Sequence, residues 1–172
     1  MKTIHCLALA GLGLALSGCA TVMNGTSQGF AFDSNPQGAR VTTTSGAECV
    51  TPCKLELKRK NDMHADFAMD GYEPTYVLVQ SRLGGAMAGN LLLGGLIGGA
   101  VDASNGASNN LYPEPLAVRL AKLGSGEEAT LLAENGEPGK TVTAHNDEVR
   151  ADVAETIGAE AAGLPISAGG AP

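Results

Sequence analysis

Residues able to do chemistry are few in this 172-residue chain, and their spacing limits what they can do together. The three histidines stand far apart, at His5, His64 and His145. His64 falls on the polar side of an alternating run, where a solvated surface histidine is expected. No Gly-x-Ser-x-Gly elbow, P-loop or His-Glu-x-x-His pair occurs. Gly124-Ser125-Gly126 reads as a loop without a nearby base. Asp66, Asp70 and Glu73 suggest a carboxylate set, yet Asp66 and Asp70 on one strand face would stand about 13 Å apart, too far for the usual glycosidase pair. Cys49 and Cys53, with only His64 near them in sequence, fall short of a four-ligand metal set. Lys58-Arg59-Lys60 is a basic triplet at a strand end. It is expected to be solvated, with anionic lipid head groups or an acidic glycan as its functional alternative. These residues argue against an enzyme, and no metal or cofactor is expected.

Composition narrows the classes further. Aromatics are 3% of the chain, Trp is absent and Gly numbers 24, which excludes a large aromatic core. Only two uncharged apolar runs occur, which excludes a polytopic transporter. The net charge of −7 argues against nucleic acid as a partner, because phosphate neutralisation needs clustered Lys and Arg. The acidity is concentrated after residue 121, where three basic residues face nine acidic ones.

At the N-terminus, Lys2 precedes an apolar stretch from about Ile4 to Leu16 and then the small residues Ser17 and Gly18. This is the three-part pattern of a secretory signal, too short for a spanning helix. Its end, Leu16-Ser17-Gly18-Cys19, resembles the lipobox of bacterial lipoproteins. The resemblance implies a signal peptide over 1–18, cleavage before Cys19, and diacylglyceryl and acyl (palmitate-type) modification of Cys19. Such chains each contribute roughly 0.8 kcal/mol per buried CH₂ and hold a protein at a membrane. Ala at position 20, rather than Asp, implies the outer membrane, with the protein facing the periplasm. In that oxidising compartment Cys49 and Cys53 remain as an even pair and are expected to form a short-loop disulfide, with two free thiols as the alternative.

After a tether over 19–26, several runs alternate apolar and polar residues as half-buried strands do. They are Phe30 and Phe32; Ala39, Val41 and Thr43; Leu55 and Leu57; Met63, Ala65, Phe67 and Met69; Tyr76 and Leu78 or Val77 and Val79; and Leu116, Val118 and Leu120. Turn residues separate them at Asn35-Pro36, Ser45-Gly46, Thr51-Pro52, Asn61-Asp62 and Asp70-Gly71. The expected fold is mainly β: a small antiparallel β-sandwich over 27–121.

Ser34-Asn35-Pro36, Gly38-Ala39, Val41, Ser45-Gly46, Thr51-Pro52 and Gly71-Tyr72 resemble the PEGA domain, a short β-sandwich module of bacterial envelope proteins. The resemblance covers about residues 30–80. Pro36 and Gly38 suit a tight turn before a strand, and Gly71 suits a turn with positive φ. Cys49-Val50 stands where the family usually has Gly before Thr-Pro, so that turn is expected to be held by the disulfide.

Leu83 to Val101 is 19 residues without a charge and contains seven glycines. The pairs Gly85/Gly89, Gly94/Gly98 and Gly95/Gly99 would each share one helix face and let another backbone approach closely. Segment 83–101 is therefore expected to be a glycine-rich apolar helix. It either packs on the β domain or acts as a zipper that self-associates or enters a leaflet. A full crossing would strand Leu116–Leu120 away from its sheet. Residues 122–172 read as an acidic, low-complexity, largely disordered tail. One weak helix is expected there, N-capped by Asn146, with Asp147 and Glu148 in its first turn and a stripe of Val149, Val153 and Ile157.

Two functional classes follow. The first is a lipid-anchored envelope protein with a non-catalytic binding or structural role towards a periplasmic protein or polysaccharide. The second is a self-assembling envelope component, a homo-oligomer built through 83–101.

Overall fold

The computed structural model describes residues 25–84, 106 and 108–165. Cys19 and the helix-packing glycines Gly85, Gly89, Gly94, Gly95, Gly98 and Gly99 lie outside the described residues, as do the signal peptide and most of segment 83–101.

The strands are β1 (Ser27–Asn35), β2 (Arg40–Thr43), β3 (Glu48–Val50), β4 (Cys53–Lys58), β5 (Met63–Ala68), β6 (Thr75–Leu83), β7 (Asn109–Tyr112), β8 (Leu116–Arg119), β9 (Thr130–Leu132) and β10 (Pro138–Thr141). The helix, α1, spans Val142–Ile157. The strands form two five-stranded sheets, ordered β10-β9-β8-β1-β4 and β3-β2-β5-β6-β7. The protein is thus mainly β, with one helix among the described residues.

Alternation explains the faces. Along β1 the buried positions are Gln28, Phe30, Phe32 and Ser34, every second residue. In β5 Met63, Ala65 and Phe67 are buried, and in β8 Leu116 and Val118. Leu57 from the first sheet and Val41, Val77, Val79 and Leu111 from the second join them in one hydrophobic cluster. Val77 and Val79 face this core, while Leu78 between them is buried in a second cluster with Val149 and Val153 of α1. Strand β6 is therefore covered on both faces.

Two expectations need correction. The sheets are not wholly antiparallel: β1 and β8 run parallel, in register from Phe32↔Leu116 to Asn35↔Arg119. Strand β8 returns along β1 in the same direction, which requires a long crossover rather than a hairpin. The acidic tail is also structured across most of its length. β9 and β10 form a hairpin through Asn135-Gly136, and Ala133 N donates to Glu137 O at 2.9 Å. Helix α1 then follows directly. Its N-cap is Thr141, whose hydroxyl accepts from Ala144 N at 3.2 Å, not Asn146. Asp147 and Glu148 consequently fall beyond the first turn. Apolar burial outweighs the chain entropy expected to keep this region loose: Val142 joins the main core, and Val149, Val153 and Ala162 are buried.

Two compact units divide the described chain. One contains 25–28, 58–60, 82–84, 106 and 108–110; the other contains 29–57, 61–81 and 111–165. In the first, Arg59 is not the solvated charge expected of a basic triplet. Its guanidinium donates to Ser27 O (3.1 Å), Gln28 Oε1 (3.3 Å), Asn109 O (3.1 Å) and Asn110 Oδ1 (2.6 Å). A planar fork of five N–H groups can bind that many oxygens where a lysine ammonium could not. Lys58 and Lys60 on either side are exposed.

Candidate functional site

The second unit carries two features built from residues singled out by type and spacing. The first is a polar knot under the Ser34–Ala39 turn. Thr51 Oγ1 accepts from the backbone N–H groups of Gly38 (3.1 Å) and Ala39 (3.0 Å). Its own proton therefore goes to Ser34 Oγ, and the Ser34 proton goes to Pro36 O at 2.7 Å. Backbone bonds Gly38 N to Thr51 O and Thr51 N to Ala39 O, both 2.9 Å, close the ring. Ser34 and Thr51 are each 3% exposed, so these are buried polar groups with every proton assigned. Cys49 and Cys53 flank the knot and are joined as a disulfide, with Cα atoms 6.3 Å apart. Gly71, at φ 82°, shapes the turn before Tyr72, and Tyr72 packs half-buried against the core and bridges to Lys122.

The second feature is the outward face of the sheet containing β2, β3, β5 and β6. Pairing places Val50, Arg40 and Ala68 in one cross-strand row, and Glu48, Thr42, Asp66 and Tyr76 in the next. The first row is open. A cleft of about 600 Å³ lies there, lined by Gly38, Arg40, Val50, Ala68, Met69, Asp70 and Pro74. Val50 is 57% exposed. Arg40 and Glu48 form an ion pair at 3.7 Å, both largely in water, and such pairs contribute little.

The far half of the same face is covered by α1 and the turn after it. Asn146 is buried in the helix interior. Its amide accepts from Leu78 N (2.9 Å) and donates to Tyr76 O (2.8 Å), copying the hydrogen bonding of a neighbouring strand. His145 Nε2 donates to Leu78 O at 2.9 Å. Asn146→Ala is expected to leave the Leu78 N–H without this acceptor and to cost about 1–3 kcal/mol, read as a lower urea midpoint with unchanged slope.

His64 also differs from expectation. It stands on the polar face of β5, but its side chain is only 17% exposed. The ring stacks on Tyr76 with centroids 4.3 Å apart. Its Nδ1 lies 2.6 Å from Ala161 O and its Nε2 2.9 Å from Asp66 Oδ1. Tyr76 Oη accepts from Arg150 Nη1 at 2.8 Å, and Arg150 also donates to Ala162 O (2.6 Å) and Asp147 Oδ1 (2.9 Å). The Tyr76 hydroxyl, and Asp147 after it, raise the Arg150 pKa above its ordinary value, so this group stays cationic. Gly163, at φ 74°, lies so close that a Cβ would collide with Tyr76 Oη and Arg150 Nη1. Only glycine fits that turn.

The structure brings His64 and Asp66 together but leaves Asp70 in the cleft. His145 is on α1 against β6. No local pattern marks Asn146 as a strand mimic or Arg150 as a clamp, since Leu78 and Tyr76 lie 68 and 74 residues away in sequence. The Asn135-Gly136 hairpin signal was the clue that the tail folds back onto a sheet.

The chain matches no protein-family model, no curated protein and no solved structure.

Proposed function

We propose that this chain is a lipid-anchored protein of the bacterial envelope with a non-catalytic binding or structural role. Anchoring rests on Leu16-Ser17-Gly18-Cys19, placed directly after the apolar run. The PEGA-like reading of the β domain is supported by the convergence of Ser34, Pro36, Gly38, Ala39 and Thr51 in one buried knot. The observation that carries the binding role is the divided outer face. Its helix-covered half uses His64, Asp66, Tyr76 and Arg150 to hold the chain's own backbone, and its other half leaves a cleft beside β3, an edge strand of its sheet among the described residues. That edge and cleft are the contact surface for a periplasmic protein or polysaccharide.

Two measurements test the reading. A fatty-acid probe fed to cells is expected to label the wild type and not Cys19→Ser. Detergent cloud-point separation is expected to move the protein from the detergent phase to the aqueous phase on that substitution. A wild type that stays unlabelled and aqueous sinks the anchor. Affinity capture from gently solubilised envelopes, compared with Val50→Asp, then tests the contact surface. The self-assembly reading rests on the Gly-x3-Gly pairs and predicts that Gly95→Leu shortens a chemical cross-linking ladder.

A further inference from the structure

We propose that the outer edge of β3 binds an extended polypeptide strand, antiparallel to Glu48–Val50, with an apolar residue opposite Val50 and a basic residue opposite Glu48. This rests on the proposed contact surface and names its partner's chemistry: polypeptide rather than polysaccharide.

The direction of each backbone group defines the edge. Thr43 N donates to Ala47 O at 3.0 Å, and Thr51 N donates to Ala39 O at 2.9 Å. Val41 stands opposite Cys49, midway between these pairs. Bonded and non-bonded pairs alternate along an antiparallel ladder, so Ala47, Cys49 and Thr51 turn their N–H and C=O groups towards β2. Glu48 and Val50 turn theirs the other way. Strand β3 ends its sheet among the described residues, so two N–H donors and two C=O acceptors face outward from it. They stand as two donor–acceptor sets about 7 Å apart, the repeat of every second residue in a strand. An added antiparallel strand presents the complementary groups of its residues i and i+2 at the same repeat. Residue i then lies opposite Val50, and i+2 opposite Glu48. Sugar hydroxyls carry no such fixed alternation, and no aromatic ring lines the adjoining cleft for a sugar face to lie on.

Side chains set the preferred sequence. Residues directly opposite share a face, with Cβ atoms about 4.5–5.5 Å apart. Val50 is 57% exposed, so an apolar side chain at i removes that surface from water. Glu48 meets Arg40 at 3.7 Å on one side, with both side chains more than half exposed. A basic side chain at i+2 meets Glu48 on its other side, whereas an acidic one there meets like charge. Cys49, between the two, is tied to Cys53 by the disulfide, so the edge is held before a strand arrives and binding carries less of the ordering cost. The edge is also short. Thr51 has both backbone groups turned inward, to Ala39 and Gly38, and Pro52 after it has no N–H. Two residue pairs therefore hold the strand.

The test is a titration of the full chain in detergent with the peptide acetyl-Thr-Thr-Val-Thr-Lys-Thr-Thr-amide, followed by the amide resonances of Glu48 and Val50. Saturable binding is expected. Methylating the backbone nitrogen of the valine or of the lysine is expected to weaken it about tenfold, and methylating that of the threonine between them, which faces away, less than about twofold. Exchanging the lysine for glutamate is expected to weaken it about threefold. Val50→Pro is expected to weaken it about tenfold, since it removes an edge N–H that β2 does not use, and an edge strand tolerates proline. The methylated peptides decide the matter on the unaltered chain. No saturable binding, equal weakening by all three methylated peptides, or undiminished binding of the glutamate peptide overturns the proposal. Partner capture that Val50→Asp abolishes, with the peptide unbound, overturns the strand and leaves the contact surface in place; capture of a polysaccharide there is one such result. Capture that Val50→Asp leaves unaffected, with the peptide unbound, fails both.

Discussion

Thr51→Val is expected to destabilise the folded domain by about 2–4 kcal/mol, although valine matches threonine in shape. The hydroxyl it removes is the acceptor for Ala39 N–H, which belongs to a fully buried residue, and the donor to Ser34 Oγ. Gly38 N–H loses less, because it also bonds Thr51 O. Leaving a buried donor unsatisfied costs more than a hydrogen bond contributes on average, since the group forgoes water without a replacement. Thr51→Ser keeps the oxygen and is the matched control, expected to lose under about 1.5 kcal/mol. Urea unfolding followed by circular dichroism reads both variants. Equal midpoints for the valine and serine variants would show that the hydroxyl is dispensable.

Phe32→Ala is expected to cost about 3–5 kcal/mol, the range for removing a buried aromatic from a core that relaxes only in part. The chain has three phenylalanines, and all are in one cluster. Phe32 is the middle one, edge-on to Phe30 at 5.0 Å and tilted against Phe67 at 6.4 Å. It therefore links a strand of one sheet to a strand of the other. With no tryptophan to share the load, the rest of the buried hydrophobic residues are Leu, Val, Ala and Met. Phe32→Leu, which refills most of the volume, is expected to recover over half of the loss. Comparable destabilisation by the two variants would mean that ring contacts rather than volume set the cost.

How far residue patterns foretold this architecture depended on which physical signal each element carries. The alternation in β1, β2, β4, β5 and β8 placed the buried side chains on the observed faces, because a strand with one wet face must alternate. Strand β3 is three residues long, and β10 begins Pro-Gly, so neither has a period to read. Helix α1 was placed several residues late. Its true cap, Thr141, follows Pro138-Gly139-Lys140, which resembles a loop more than the approach to a helix. The acidic composition after residue 121 was a misleading guide to order. Those charges line exposed positions, while a thin set of Val142, Val149, Val153 and Ala162 does the packing. His64 and Asn146 show a different limit. Their partners lie 97 and 68 residues away in sequence, and no local pattern reports a contact at that range. The open cleft was equally invisible, because it depends on how much of a face the returning helix covers.

The parallel pairing of β1 with β8 has a kinetic consequence. A chain that emerges N-terminus first presents β1 with one flank vacant until the residues of β8 have followed it. Closing so long a loop costs more chain entropy than closing a hairpin, so this pairing is expected to form late in folding. Until then, Phe30 and Phe32 have only part of their final company. Among the described residues only β8 takes that flank of β1, so a chain ending before Leu116 leaves the ribbon unfinished.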